Sequence, residues 1–175
     1  MAQRYALQDI RLRALGKEDL PLLMGWENAP EALRSNDSLN PLSEDFIARY
    51  ISSSTRHILE TGSLGLMIEE IATNTPLGHL SLYDYSPIHR RVALGIYVAP
   101  EVRQQGIASI ALRQAIRYAF TQLRCEQVYA EVLADNQTTQ DMLLRLGFHQ
   151  TALLPSWHWT GDSYQDLLFF QLWSK

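Results

Sequence analysis

Cysteine is nearly missing from this sequence: Cys125 is the only one, so no disulfide can form within the chain. As a nucleophile it would need a neighbouring base, whereas as a small buried hydrophobe it needs nothing, and burial is the expectation. The five histidines, His57 and His158 among them, show no H-x3-H pair, and no cysteine pair accompanies them. No metal site is therefore expected. No run of about 18 apolar residues occurs, so no membrane-spanning helix is expected. The start, "MAQRYALQDIRLRAL", lacks the continuous apolar core of a secretory leader. A reducing cytoplasm is the location these absences suggest. Basic charge is also scarce, with a formal net charge of −4. Nucleic acid is excluded as an expected partner, because phosphate backbones call for a basic face, while a cationic partner suits the balance. Linkers, repeats and low-complexity tracts are absent too, and 175 residues suit a single domain over 1–175 with a sizeable core.

What is present is an alternation of strand and helix patterns. "IRLRAL" (Ile10–Leu15) alternates as a half-buried strand does. "KEDLPLLMGWEN" sets Leu20, Leu23 and Met24 on one helical face, all core in character, with acids in its first turn. "SEDFIARYISSS" predicts a second helix, with Ser43 as N-cap and Phe46, Ile47, Tyr50 and Ile51 along one side. "LGLMIEEI" and "PLGHLSLYDY" read as strands joined through "ATNT", and "RRVALGIYVAP" as a third, stopped by Pro100. A long helix follows, with Ile107, Ala111, Ala115 and Ala119 in its apolar stripe. "QVYAEVL" is a strand. "DNQTTQDMLLRLGF" is a helix with Met142, Leu143 and Leu146 inward and Gly147 closing it. "DLLFFQLW" is the last strand, with a short extra strand expected near "HQTALL" or "WHW". The order β-α-α-β-β-β-α-β-α-β predicts an α/β fold. Hairpins in the first half give antiparallel pairs, crossovers in the second give a parallel one, and helices cover both faces.

The turn "VRQQGIASIAL" joins a strand to the start of the long helix. The first N–H groups of a helix lack intrahelical partners, and the macrodipole makes that end partly positive. Gly106 and Ala108 would let an anion approach the backbone, and Arg103 adds a full charge. Together these suit a pyrophosphate; a plain turn is the other reading. Neither the P-loop pattern nor G-x-G-x-x-G is matched.

The turn Arg103-Gln104-Gln105-Gly106-Ile107-Ala108 follows an apolar strand. Beyond it come the strand Gln127–Leu133, then Asn136 ahead of Gly147-Phe148. In these parts the chain resembles the GNAT acetyltransferase superfamily. "GWENAPEALRSNDSLNPLS" and "SPIHRRVALGIYV" resemble its branch of spermidine and ribosomal-protein N-acetyltransferases. The resemblance implies a mixed, mostly antiparallel sheet with a central splayed parallel pair, Val92–Val98 and Gln127–Leu133. It implies acetyl-CoA as cosubstrate. The pantetheine arm would pair with backbone around Ile96, Tyr97 and Val98. The pyrophosphate would meet Arg103, Gln104, Gln105, Gly106, Ile107, Ala108 and Ser109. Asn136 would bond the CoA arm, and it also suits a helix N-cap; the two roles are compatible. The implied reaction is direct acetyl transfer to a primary amine, of a polyamine or similar small molecule. Two alternatives stand beside it: a protein N-terminus as acceptor, and a CoA-binding sensor without turnover. Pairing of the last strand with a second copy would make a homodimer.

Two side chains that many such enzymes use are missing. The strand glutamate that serves as base falls at Ala93 or a neighbour, and the helix tyrosine that serves as acid falls at Leu143. The Thr139 hydroxyl is the substitute for the acid, and Asp84, reached through water, for the base. His79 and His89 are further titratable groups. The acceptor pocket is expected from Trp26, Glu27, Tyr83 and Tyr85, with Trp157 and Tyr164 nearby: aromatic walls with a carboxylate suit an ammonium.

Overall fold

The computed structural model describes residues 5–35 and 40–174. The β-branched and alternating segments form strands β1 (Ile10–Ala14), β2 (Leu64–Glu70), β3 (Pro76–Ser86), β4 (Arg91–Val98), β5 (Gln127–Leu133), β6 (His149–Trp159) and β7 (Tyr164–Trp173). The helices are α1 (Leu20–Glu27), α2 (Pro30–Ser35), α3 (Glu44–Ser53), α4 (Ile58–Thr61), α5 (Ile107–Thr121) and α6 (Gln137–Arg145). Among the described residues the strands make one sheet in the order β1-β2-β3-β4-β5-β7-β6. Every pairing is antiparallel except β4 with β5.

Local chemistry accounts for the boundaries. Ser43 accepts the Phe46 N–H at 3.2 Å and starts α3. Pro100 ends β4 in a short 3-10 turn. Gly147, at φ 95°, closes α6, where the Phe148 N–H bonds the Leu143 carbonyl at 3.0 Å. At three places the structure differs from the sequence reading. Lys17–Asp19 is a separate 3-10 turn before α1. Its acids, Glu18 and Asp19, therefore precede α1 instead of lying in its first turn, and Asp19 is bound by Arg13 and the Gly16 N–H. Two short helices, α2 and α4, occupy stretches without a long apolar stripe. The extra strand is one eleven-residue element, β6, that contains both "HQTALL" and "WHW". Pro155 and Ser156, the latter at φ 48°, lie in a break of register between Leu154 and His158, so the alternation is interrupted there.

The core has two parts, one on each face of the sheet. On one face Ala111, Ala115 and Ala119 bring α5 down onto Leu80, Leu82, Val92 and Val128, with Leu143 and Phe148 completing the layer. The small alanines permit close helix–sheet approach, and the branched strand residues fill the space. On the other face Leu23 of α1 and Ile47 and Ile51 of α3 pack on Met67. β3 lies so close to β4 that a Cβ on Gly78 would stand 2.2 Å from the Tyr97 carbonyl oxygen. Only glycine fits there.

A buried charge cluster ties β1 to the α1 side. Arg13 bonds both oxygens of Asp19, each at 2.8 Å, and also Glu69. Burial pushes the Asp19 carboxyl up, but hydrogen bonds from Arg13 and the Gly16 N–H outweigh it and hold it below the usual carboxylate range. Glu69 is lowered in the same way, burial being outweighed by Arg13 and Arg11. A carboxylate with a depressed folded pKa adds stability that is complete above its unfolded value. That stability is lost as pH falls through the folded one. Arg13→Met leaves both carboxylates buried and is expected to cost about 3–5 kcal/mol at neutral pH. The gap to wild type should narrow as the carboxyls protonate below about pH 4. Urea unfolding at several pH values measures both effects; a gap that stays constant into acid would contradict this account.

Candidate functional site

The sheet parts in the middle. β4 and β5 pair only at Arg91–Gln127, Val92–Val128 and Ala93–Tyr129. Beyond that β4 follows β3 up to Val98–Gly78, and β5 follows β7 up to Leu133–Leu167. The Ala99 N–H bonds the Leu77 carbonyl at 2.9 Å, which sets the alternation along β4. Tyr97 and Gly95 therefore direct their backbone groups to β3, and Leu94, Ile96 and Val98 direct theirs into the gap. A strand edge with polar backbone groups suits an extended ligand carrying amides. The gap is part of a cleft of about 880 Å³. Leu94, Ile96, Ala130 and Leu133 line its strand walls, and Asn136 and Thr139 come from the start of α6.

The turn after β4 leads straight into α5. Gly106 is its N-cap, at φ 88° and without a side-chain cap. A Cβ on Gly106 would meet nothing within 4 Å, so open space faces that helix end. The arrangement can take an anion on the N–H groups of the first turn. Arg103 stands beside it, already engaged. Its guanidinium bonds both carboxylate oxygens of Glu31 on α2, its Nε donates to the Val98 carbonyl at 2.9 Å, and it lies 5.4 Å over the Tyr97 ring. The hydrogen bond from Arg103 holds the Glu31 carboxyl below the usual range, against a smaller effect of burial. From the same helix Arg34 reaches Asp135 at 2.7 Å, beside Asn136. α2 thus bridges the segments that follow β4 and β5.

Asn136 is the N-cap of α6, its Oδ1 accepting the Thr139 N–H at 3.1 Å. Its position on the cleft wall is compatible with the second role expected of it. Thr139 lines the cleft as well. Ala93 and Leu143, where the resemblance looked for glutamate and tyrosine, are buried in the core.

On the far side the cleft is walled by Glu27 of α1, Tyr50 of α3, Tyr83 of β3 and Trp157 and His158 of β6. His79 and Ser81 share the β3 face with Tyr83 by strand alternation. Glu27 Oε1 lies 3.5 Å from His79 Nδ1, and the Tyr50 hydroxyl 3.1 Å from His79 Nε2. Burial, with a further push from Glu27, raises the Tyr50 hydroxyl well above the usual phenol range.

Other expected residues are not on the cleft wall. Trp26 packs with the Leu23 cluster and leans on Tyr97 at 5.8 Å. Tyr85 packs into the α5 side, its hydroxyl donating to the Leu123 carbonyl at 3.3 Å. Asp84 sits at φ 47° in an irregular stretch of β3. It accepts the Tyr129 hydroxyl and stands 3.6 Å from Arg91, which holds its carboxylate away from the cleft. His89 is exposed in a turn, and Tyr164 is exposed against Trp159. Cys125 is buried, and burial pushes its thiol up. Tyr50, Ser81 and Glu131 line the cleft without having been singled out. Period-two spacing from His79 through Ser81 to Tyr83 was the available signal for Ser81. Tyr50 was masked by its place in the apolar stripe of α3.

Residues 9–149 match the family described as "Acetyltransferase (GNAT) domain". The spermidine N(1)-acetyltransferase of Vibrio cholerae is 24% identical over 90% of this chain and 89% of that protein. The uncharacterized N-acetyltransferase YoaA of Bacillus subtilis is 26% identical over 57% of this chain and 56% of its own length. A crystal structure of the Vibrio cholerae spermidine N-acetyltransferase, in complex with CoA and spermine, superposes with a TM-score of 0.84. It is 23% identical and covers 95% of this chain and 96% of that one.

A phosphate-bearing ligand at the turn would compete with Glu31 for Arg103. Glu31→Gln is therefore expected to tighten CoA several-fold at low salt, and Arg103→Met to weaken it about tenfold. Titration calorimetry reads both. Equal affinity in the two variants would mean that phosphates do not reach this guanidinium.

Proposed function

The chain belongs to the GNAT acetyltransferase family, and from that premise we propose that it moves the acetyl group of acetyl-CoA directly to a primary amine of a small polyamine-like cation. The observation that carries this reading is that one continuous cleft holds both walls. It runs from the parted strands β4 and β5 to a wall holding the carboxylates Glu27 and Glu131 and the aromatic rings of Phe46, Tyr83 and Trp157. Carboxylates among aromatic faces attract an ammonium, and spaced carboxylates suit a cation with more than one charge.

In this reading the donor lies along β4. Ile96 and Val98 offer backbone N–H and C=O groups to the pantetheine amides, and Tyr97 backs the strand. Arg103, Gln104, Gln105, Gly106, Ile107, Ala108 and Ser109 surround the pyrophosphate, with Gly106 leaving room for its approach. Asn136 keeps its Oδ1 in the helix cap, and its amide nitrogen is the donor to the CoA arm. A backbone N–H at Val98 would polarise the thioester carbonyl. The Thr139 hydroxyl would hydrogen-bond the departing sulfur. Direct transfer needs no covalent enzyme intermediate, in keeping with a buried Cys125. The printed names of the Vibrio cholerae relative and its spermine complex support the polyamine class. A homodimer belongs to this reading; β7, the last strand of the chain, is paired on both sides by β5 and β6 and so cannot take a second copy, which leaves the edge strand β6, where Leu153, Trp157 and Trp159 are exposed.

Two measurements test the proposal. Acetyl-CoA at about 100 times its Kd should add about 2.7 kcal/mol of stability, seen as a raised Tm. Gly106→Glu should abolish that rise by placing bulk and like charge against the pyrophosphate. Thiol release should then be fastest with spermidine or spermine in a panel that includes amino sugars and peptide N-termini. Absence of stabilisation overturns the donor assignment. Fastest turnover with peptides overturns the acceptor class, and saturable CoA binding without any acetylation makes the chain a sensor.

A further inference from the structure

Transfer to an amine starts from an ammonium whose pKa is about 10, so a proton must leave before attack. β4 carries no carboxylate to take it. Two titratable groups nevertheless meet on the acceptor wall. Glu27 Oε1 is 3.5 Å from His79 Nδ1; the His79 side chain is 8% exposed and that of Glu27 23%. The pair thus has an inner member shielded from water and an outer member that reaches the cleft. His79 is the cross-strand partner of Tyr97, which stands between Ile96 and Val98, two of the β4 residues whose backbone groups turn into the gap. The proton-accepting groups therefore border the place where a thioester in the gap would present its carbonyl. Packing fixes them: Leu23 of α1 and Ile47 and Ile51 of α3 hold both helices against the sheet. Among the described residues the charged and titratable groups around the imidazole are these. Glu27 faces it from α1, Tyr50 from α3 and Tyr97 from β4, while Asp19 is already bound to Arg13.

We propose that Glu27 and His79 form the proton acceptor of this reaction, replacing the strand glutamate that is absent at Ala93. Glu27 is the catalytic residue that touches the ammonium, and His79 is the positioning residue that takes the proton on from it. Tyr50 orients the imidazole. The required tautomer has Nε2–H donating to the Tyr50 oxygen, 3.1 Å away, and the Nδ1 lone pair turned to Glu27. The inference rests on the acetyl-transfer reading above. The substrate R–NH3+ gives one proton to Glu27, which passes it to His79 Nδ1. The freed lone pair attacks the thioester carbonyl carbon, forming the C–N bond, and the electron pair moves to oxygen. It returns as the C–S bond breaks. The second nitrogen proton reaches the departing sulfur through Thr139 or water. The products are the amide and the CoA thiol, with one proton left on His79 for release to solvent.

The test uses His79→Gln, which keeps a polar side chain beside Tyr50 and removes the base. With spermidine, kcat should fall about 100-fold or more near neutral pH, as loss of a general base does. Stabilisation by acetyl-CoA should be unchanged, and the deficit should shrink as pH approaches the amine pKa or when a weakly basic amine is the acceptor. Glu27→Gln should lower kcat with the same pH dependence and also raise KM for the amine. A His79→Gln enzyme with kcat within about threefold of wild type across pH would overturn the proposal while leaving acetyl transfer intact. Failure of wild type to bind acetyl-CoA or transfer acetyl would strike the parent reading instead. Should His79→Gln not fold, Glu27→Gln decides: a change in amine KM alone, with an unaltered kcat–pH profile, overturns the proton role.

Discussion

Everything at this site depends on two neighbouring strands ceasing to pair. β4 and β5 hold each other for three residues and then separate, and neither strand frays, because each has a second partner. β3 keeps β4 straight to Val98, and β7 keeps β5 straight to Leu133. A sheet normally satisfies its central backbone groups within itself. Here the fold leaves a row of them facing a cleft, where a ligand with amides can complete the ladder. Gly78 belongs to the same constraint, since any side chain there would drive β3 off Tyr97 and loosen the strand that carries the gap.

Electrostatics distinguishes the two ends of the site. Past the end of β4 the N-terminus of α5 and Arg103 offer positive potential, with the charge of Arg103 held by Glu31. At the other end Glu27 and Glu131 offer negative potential among aromatic rings. An anionic donor and a cationic acceptor would each be drawn to its own end, and their reacting groups would meet between. α2 ties the segments after β4 and β5 together beside the cleft, since Ala32 lines it while Glu31 holds Arg103 and Arg34 holds Asp135.

How much of this was legible in the sequence follows from how local each feature is. The turn from Arg103 to Ala108 is contiguous, and its chemistry is that of backbone N–H groups, so a short stretch displays it. The alternating β1 and the alanine-lined α5 declare themselves by period. β6 does not, because Pro155 and a break in register divide it and most of its side chains are exposed. The acceptor wall is least legible. Glu27, Tyr50 and His79 come from two helices and a strand that only the tertiary fold brings together. The partners of Asp84 are equally non-local: a carboxylate at a strand end looks available in the sequence, and only the structure shows Tyr129 and Arg91 engaging it.

The position of Ala93 explains why a base on β4 would be poorly placed in this chain. Ala93 is paired to Tyr83 on one side and Tyr129 on the other, at the vertex where the strands still touch. It is fully buried, so a glutamate there would need room that Tyr83, Tyr129 and Phe169 already occupy around it. It would also be a buried charge, and Arg91, the cation on the same strand, already faces Asp84. Moving the carboxylate to α1 avoids both costs. Glu27 enters from the rim, keeps contact with water, and meets an imidazole on β3. Under the proposed role, a base delivered by a helix that also walls the cleft would tie proton removal to acceptor binding, because the side chain that receives the ammonium would be the one placed to discharge it.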